Sequence, residues 1–181
     1  MKKKRCNLKE TKKLAGDMAS ELLKSSRKNT ATVVALSGDL GGGKTTFTKA
    51  LAKELGVLET VLSPTFVIMK TYPIRNDGRK ARPTSNGTST LPRTAERSSL
   101  RGRQPATYHL RKLVHVDAYR LESASELEAI GWNEILAEPD NLVVIEWPER
   151  VKKIVPKDAR EIKFKFIDDK TREVAFKKLI F

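Results

Sequence analysis

The 181-residue sequence predicts one α/β domain of the P-loop type, helices flanking a central β-sheet, with an antiparallel hairpin at its C-terminal end. Three observations carry that prediction. A short apolar segment, Ala31–Ser37, runs into a glycine-rich turn and then into a helical pattern. Two further apolar segments, Leu113–Asp117 and Leu142–Glu146, each end in an acid. Lastly, 161–167 and 172–179 alternate apolar and polar residues, as strands with one face in water do.

The glycine turn is the organising element. Gly38-Asp39-Leu40-Gly41-Gly42-Gly43-Lys44-Thr45-Thr46 fits G-x-x-x-x-G-K-[ST] at every fixed position. Ala31–Ser37 is β-branched and apolar, so it reads as a buried strand. Phe47, Ala50, Leu51 and Leu55 recur at helical spacing, and Gly56 stands where a helix would stop. Glycines let the backbone curl so that N–H groups point inward, and the helix N-terminus adds partial positive charge. Gly38, Asp39, Gly41, Gly42, Gly43, Lys44, Thr45 and Thr46 are therefore the candidate triphosphate-binding residues. Lys44 would reach the β- and γ-phosphates, and the Thr45 hydroxyl would ligate Mg²⁺. The plain alternative is a glycine-rich turn that binds nothing.

Ahead of the turn, Asn7–Glu10 resembles a capping box. Thr11, Leu14, Ala15, Met18, Ala19, Leu22 and Leu23 then share one helical face to about Lys24. Beyond it comes Ser63-Pro-Thr-Phe66, followed by a strand over 67–72. Pro64 fixes a turn there and can present Thr65 from a rigid backbone. Thr65 is either a switch residue for Mg²⁺ or γ-phosphate, or part of an ordinary proline turn. Asp117 stands at the strand end where Mg²⁺ would sit; otherwise it is a solvated carboxylate. Short helices are expected over 123–130 and 132–137. If the strand over 142–146 runs parallel to the first, Glu146 emerges at the same sheet edge. There it could polarise a water and Trp147 could line the pocket; the alternative is a surface glutamate and a packing tryptophan.

Charge is unevenly distributed. The formal net charge is +14, yet residues 1–13 carry seven basic side chains against one acidic, and 75–112 carry ten against two. The rest of the chain is balanced. Residues 1–6 read as a basic tail. The segment 75–107 is rich in Arg, Ser, Thr, Pro and Gly, too poor in apolar residues to offset ordering entropy, and reads as a disordered basic insertion. It is either a solvated spacer or an electrostatic arm for a polyanion such as RNA, or for an acidic partner. No apolar run approaches the roughly 20 residues of a membrane span, and the basic start has no apolar stretch behind it, unlike a secretory signal. The single cysteine, Cys6, cannot form an internal disulfide, which suits a reducing cytoplasm.

Taken in order, GDLGGGKTT, SPTF, HVDAYRLE and VIEWPER resemble the TsaE (YjeE) family of bacterial P-loop ATPases required for threonylcarbamoyladenosine (t6A) modification of tRNA. The likeness spans nearly the whole chain except the N-terminal lysines and 75–107. It implies a mixed central sheet, ATP and Mg²⁺ as cofactors, and work with the partner proteins TsaB and TsaD, with TsaC supplying the threonylcarbamoyl-adenylate. Lys44 and Thr45 match the phosphate and Mg²⁺ residues, Thr65 the switch-like threonine, and Asp117 the Mg²⁺ partner. Glu146 matches the acid near the γ-phosphate and Trp147 the aromatic beside the nucleotide. Glu10 and Thr11 match a Glu-Thr pair near the base. Gly42, where the family often has alanine, reads as harmless added freedom. The insertion separates Thr65 from Asp117 by an unusual length. Competing readings are a small-molecule kinase, a non-hydrolysing nucleotide-dependent scaffold, and a general RNA-binding protein. Against these, no arginine-rich lid follows the acid-ended strands and no RNA-binding signature accompanies the charge.

Overall fold

In a computed structural model, residues 1–75 and 108–176 are described. They form one seven-stranded mixed sheet in the order β1-β7-β6-β2-β5-β4-β3. The strands are β1 (Lys2–Cys6), β2 (Thr32–Gly38), β3 (Met69–Pro73), β4 (Lys112–Asp117), β5 (Asn141–Glu146), β6 (Arg160–Phe166) and β7 (Arg172–Phe176). β2 lies parallel to both β5 and β6, and β4 parallel to β5. The pairs β3–β4, β6–β7 and β1–β7 are antiparallel.

Period-two alternation divides the parallel strands between two cores. Val34, Leu36, Leu113, Leu142 and Val144 face helices α1 (Leu8–Lys24) and α2 (Lys44–Glu54), meeting Met18, Leu22, Phe47 and Leu51. Val33, Ala35, Val114, Val116, Val143 and Ile145 face α3 (Ala124–Ala129) and α4 (Trp132–Ala137), packing with Leu127 and Trp132. Each fully buried Leu, Val or Phe contributes roughly 1.5–3 kcal/mol, so two such layers hold the parallel strands between helices. α1 starts as its sequence dictates. Glu10 N–H donates to Asn7 Oδ1 at 3.0 Å and Asn7 N–H to Glu10 Oε2 at 3.0 Å. Those two bonds satisfy donors the first turn would otherwise leave open.

The structure corrects the reading of residues 1–6 as a tail. Lys2–Cys6 pairs along its length with β7, from Lys2↔Phe176 to Cys6↔Arg172. Ladder bonds are made by the backbone, so a lysine run can add a strand to an edge without apolar side chains. Lys3 reaches Glu173 at 3.2 Å and Lys4 reaches Glu10 at 3.4 Å, while Cys6 turns into the core. Exposed lysines also discourage further strand addition at the edge. A second difference is local. The strand expected from Val67 begins at Met69, because Ile68 adopts a left-handed φ of 64° and Val67 N–H closes a turn onto Pro64 O at 2.9 Å. The basic segment falls outside the described residues except at its ends. There Ile74 N–H donates to Arg111 O at 2.8 Å, closing the β3–β4 hairpin just beyond Pro73↔Lys112.

Candidate functional site

The C-terminal ends of β2, β4 and β5 come to one edge of the sheet, and α2 begins there. A cavity of about 280 Å³ opens at that edge, lined by Leu40 to Thr46, Ser63, Thr65, Asp117, Tyr119, Glu146 and Trp147. Strand pairing explains the convergence. Asp117 stands directly across from Glu146, and Leu36, next to the glycine loop, pairs with Glu146 on the other side. Residues far apart in the chain are thus adjacent across the sheet.

The loop itself is set by its glycines. Gly38 has φ 117°, and a Cβ there would fall 1.8 Å from Phe164 O, so no other residue fits where β2 passes β6. Gly42 leaves room that a side chain would not have. A Cβ on Gly42 would meet Asp39 O at 2.8 Å, so alanine requires the loop backbone to shift. Asp39 ties the loop to β6 by accepting from Phe166 N–H at 2.9 Å, and Arg172 of β7 donates to Gly41 O at 3.1 Å.

Lys44 is 4% exposed. Its ammonium donates to Gly38 O and Asp39 O, both at 2.8 Å, and sits 3.7 Å from the centre of the Trp147 ring. Burial pushes its pKa down, partly offset by Glu146, Glu149, Asp117 and Asp39. Thr45 Oγ1 donates to Glu146 Oε2 at 2.9 Å. Asp117 Oδ2 accepts from Ser63 Oγ at 2.9 Å and Thr65 Oγ1 at 2.5 Å, and Asp117 Oδ1 accepts from Tyr119 N–H at 3.1 Å. The insertion therefore does not part Thr65 from Asp117: it leaves the hairpin at the opposite end of β4. Trp147 takes a left-handed φ of 60°, donates its N–H to Leu36 O at 3.1 Å, and lies 5.0 Å from the Tyr119 ring.

Of the residues expected from the sequence, Gly41, Gly42, Gly43, Lys44, Thr45, Thr46, Thr65, Asp117, Glu146 and Trp147 line this cavity. Gly38 and Asp39 stand behind it as acceptors for Lys44. Glu10 and Thr11 are outside the cavity lining among the described residues. Glu10 caps α1, and Thr11 Oγ1 donates to Asn7 O at 2.9 Å. Sequence reasoning did not single out Ser63, Thr48, Tyr119 or His115. His115 was within reach: Leu113, His115 and Asp117 alternate onto one face of β4, the face on which β5 carries Val144 and Glu146.

Fold and loop together define an α/β protein with a mixed seven-stranded sheet and a glycine-rich loop between β2 and α2. A family model for the threonylcarbamoyl adenosine biosynthesis protein TsaE matches residues 6–81 and 104–174, passing over 82–103 within the basic segment. The tRNA threonylcarbamoyladenosine biosynthesis protein TsaE of Borreliella burgdorferi is 33% identical over 126 residues, 70% of this chain and 66% of its own length. That of Bacillus subtilis is 33% identical over 144 residues, 80% of this chain and 68% of its own length. The crystal structure of Bacillus subtilis YdiB superposes with a TM-score of 0.60 at 27% identity, covering 97% of this chain and 83% of that one. The chain belongs to the TsaE family, whose members are proteins of t6A biosynthesis. Among the described residues, no helix is long and apolar enough to cross a membrane.

Proposed function

We propose that this protein binds Mg²⁺-ATP at the glycine loop and hydrolyses it in support of t6A modification of tRNA, acting with TsaB and TsaD in the cytoplasm. The observation that carries the reading is the meeting of Lys44, Thr45, Asp117 and Glu146 around one cavity at the sheet edge. The names of the relatives support the pathway, and the named partners follow from the family resemblance.

The donor set suits a hard cation. Thr45 Oγ1 and the Asp117 carboxylate are oxygen ligands, which Mg²⁺ prefers, and it is commonly held by one or two protein groups plus substrate phosphates. Among the described residues no cluster of three His, Cys, Asp or Glu forms a protein-only cage. With the triphosphate in place, Mg²⁺ would supply charge neutralisation at the β- and γ-oxygens.

The chain's own groups do the rest. Lys44 exchanges two carbonyl partners for phosphate oxygens, a stronger charge-assisted bond. The loop N–H groups and the start of α2 receive the phosphate charge. Ser63 and Thr65, hydroxyl donors already turned into the cavity by Asp117, can turn to the γ-phosphate. Glu146 orients an attacking water, while Trp147 and Tyr119 wall that side of the pocket from solvent. The direct test is Mg²⁺-ATP turnover by the protein alone and with TsaB and TsaD from the same organism. Calorimetry of wild type and Lys44→Ala runs beside it. Saturable Mg²⁺-ATP binding lost in Lys44→Ala, with turnover raised by the partners, is expected. Equal affinity in the two proteins overturns the site, and binding without turnover in any mixture overturns hydrolysis.

A further inference from the structure

We propose that His115 is a positioning residue that clamps one oxygen of Glu146, so that Oε2 is the oxygen that addresses the reacting water. The proposal rests on the hydrolytic reading above and extends it to a residue of β4. His115 is fully buried, and its Nε2 lies 2.8 Å from Glu146 Oε1. Glu146 is itself 2% exposed, so this is a carboxylate taken almost entirely out of water, which its partners must satisfy.

Those partners divide unequally between its two oxygens. Oε1 faces His115 Nε2 and, at 3.4 Å, Thr48 Oγ1 on the first turns of α2, whose single O–H is shared with the nearer Lys44 O at 3.1 Å. Oε2 faces Thr45 Oγ1 alone among the described residues. Thr45 is the hydroxyl the proposed Mg²⁺-ATP complex would take, so its bond to Oε2 is the one given up on binding. Neither His115 nor Thr48 lines the cavity, so their hold on Oε1 persists.

Tautomer geometry points the same way. His115 Nδ1 is buried without a hydrogen-bond partner among the described residues. A proton there would be a buried donor with no acceptor, so it belongs on Nε2, where it is donated to the carboxylate. Strand register makes the contact stiff. His115 pairs with Val144 while Glu146 stands two residues on, on the same face, so the imidazole meets the carboxylate diagonally across a parallel ladder. A carboxylate free to rotate about its last torsion would spend its time in orientations unable to take a water's proton. Fixing one oxygen removes that freedom before substrate arrives.

The experiment compares His115→Leu, His115→Gln and His115→Asn, each alone and combined with Glu146→Gln. It reads ATP turnover with TsaB and TsaD, Mg²⁺-ATP affinity by calorimetry, and thermal melting. A glutamine amide can reach the site of imidazole Nε2, whereas asparagine reaches only that of Nδ1. His115→Leu and His115→Asn should lower kcat about 10- to 100-fold with Kd and KM within about twofold, a loss confined to the chemical step. His115→Gln should stay within about threefold of wild type. In the Glu146→Gln background none of the three should lower kcat further, because the group being positioned is already gone. A wild-type kcat in His115→Leu overturns the proposal, as does a loss that adds in full to that of Glu146→Gln, or equal behaviour of the Gln and Asn variants. Should His115→Leu show no cooperative melt, the contrast between His115→Gln and His115→Asn decides. Wild type that never turns over ATP in any mixture sinks the hydrolytic reading and this one with it. Wild type that turns over beside indifferent variants sinks this one only.

Discussion

Lys44 carries a charge that its burial disfavours. Burial lowers its pKa from the ordinary lysine value of 10.5. The folded chain therefore releases this proton at a lower pH than the unfolded chain does. Between the two values the unfolded state holds more protons, so stability rises with pH across that window and the buried ammonium is a cost below it. Lys44→Met removes the titration while keeping an unbranched side chain. Wild type should thus gain stability relative to Lys44→Met as pH climbs towards 10.5, measured by denaturant unfolding at a series of pH values. A difference that stays constant with pH would show that burial does not weigh on this lysine. Glu146→Gln makes the complementary case. It preserves size and one of the two acceptor oxygens but removes the charge, so Mg²⁺-ATP affinity should remain within a few-fold while kcat falls about 100-fold or more. Gly42→Ala should cost about 1–3 kcal/mol, because its methyl group would press on the Asp39 carbonyl. Thermal melting of the unliganded protein reads that cost.

Among the elements, β1 is the most exposed to test. Deleting residues 2–6 removes five cross-strand pairs, each worth about 0.2–1 kcal/mol, and uncovers β7 as an open edge. Stability should drop by about 1–5 kcal/mol, and the truncated protein should associate more readily, read by unfolding and by light scattering. An unchanged midpoint would mean that β1 is dispensable. This strand also marks where sequence reading fails. Lys2, Lys3 and Lys4 have no alternation to betray a strand, since what holds them is the backbone of β7, far away in the chain. Elements with a period or a punctuating residue were legible: α1 from Asn7, Glu10 and its apolar stripe, the glycine loop from its pattern, β4 and β5 from apolar runs closed by Asp117 and Glu146. The site was legible for the same reason, as its acids stand at strand ends. Thr48 and Ser63 were not, because their roles depend on which elements become neighbours; for His115 the alternation shows its face of β4 but not that Glu146 of β5 lies beside it. Local sequence carries no such information.

Over the whole molecule, the fold sets the candidate site apart from the points where the basic segment joins the sheet. The described strands that build the cavity meet at one end of the sheet, whereas the basic segment departs at Arg75 and returns at Tyr108 beyond the far end of β3 and β4. Five residue steps from Asp117 to Lys112 span about 17 Å. Deleting residues 76–107 should accordingly leave Mg²⁺-ATP affinity unchanged by calorimetry. The same deletion decides between an electrostatic arm and a spacer. An arm that contacts tRNA phosphates makes binding fall steeply with salt, and the deletion flattens that slope; equal binding at low and moderate salt identifies a spacer. The bond from Ile74 to Arg111 has a practical consequence of its own. Because the chain leaves and returns through one closed doorway, material spliced there is tethered at both ends to a hairpin that is already shut. Closing a longer tether costs only about 0.6 kcal/mol for each doubling of its length. The site is a natural socket: a fluorescent reporter or affinity module could be plugged in without disturbing the chemistry at the opposite rim.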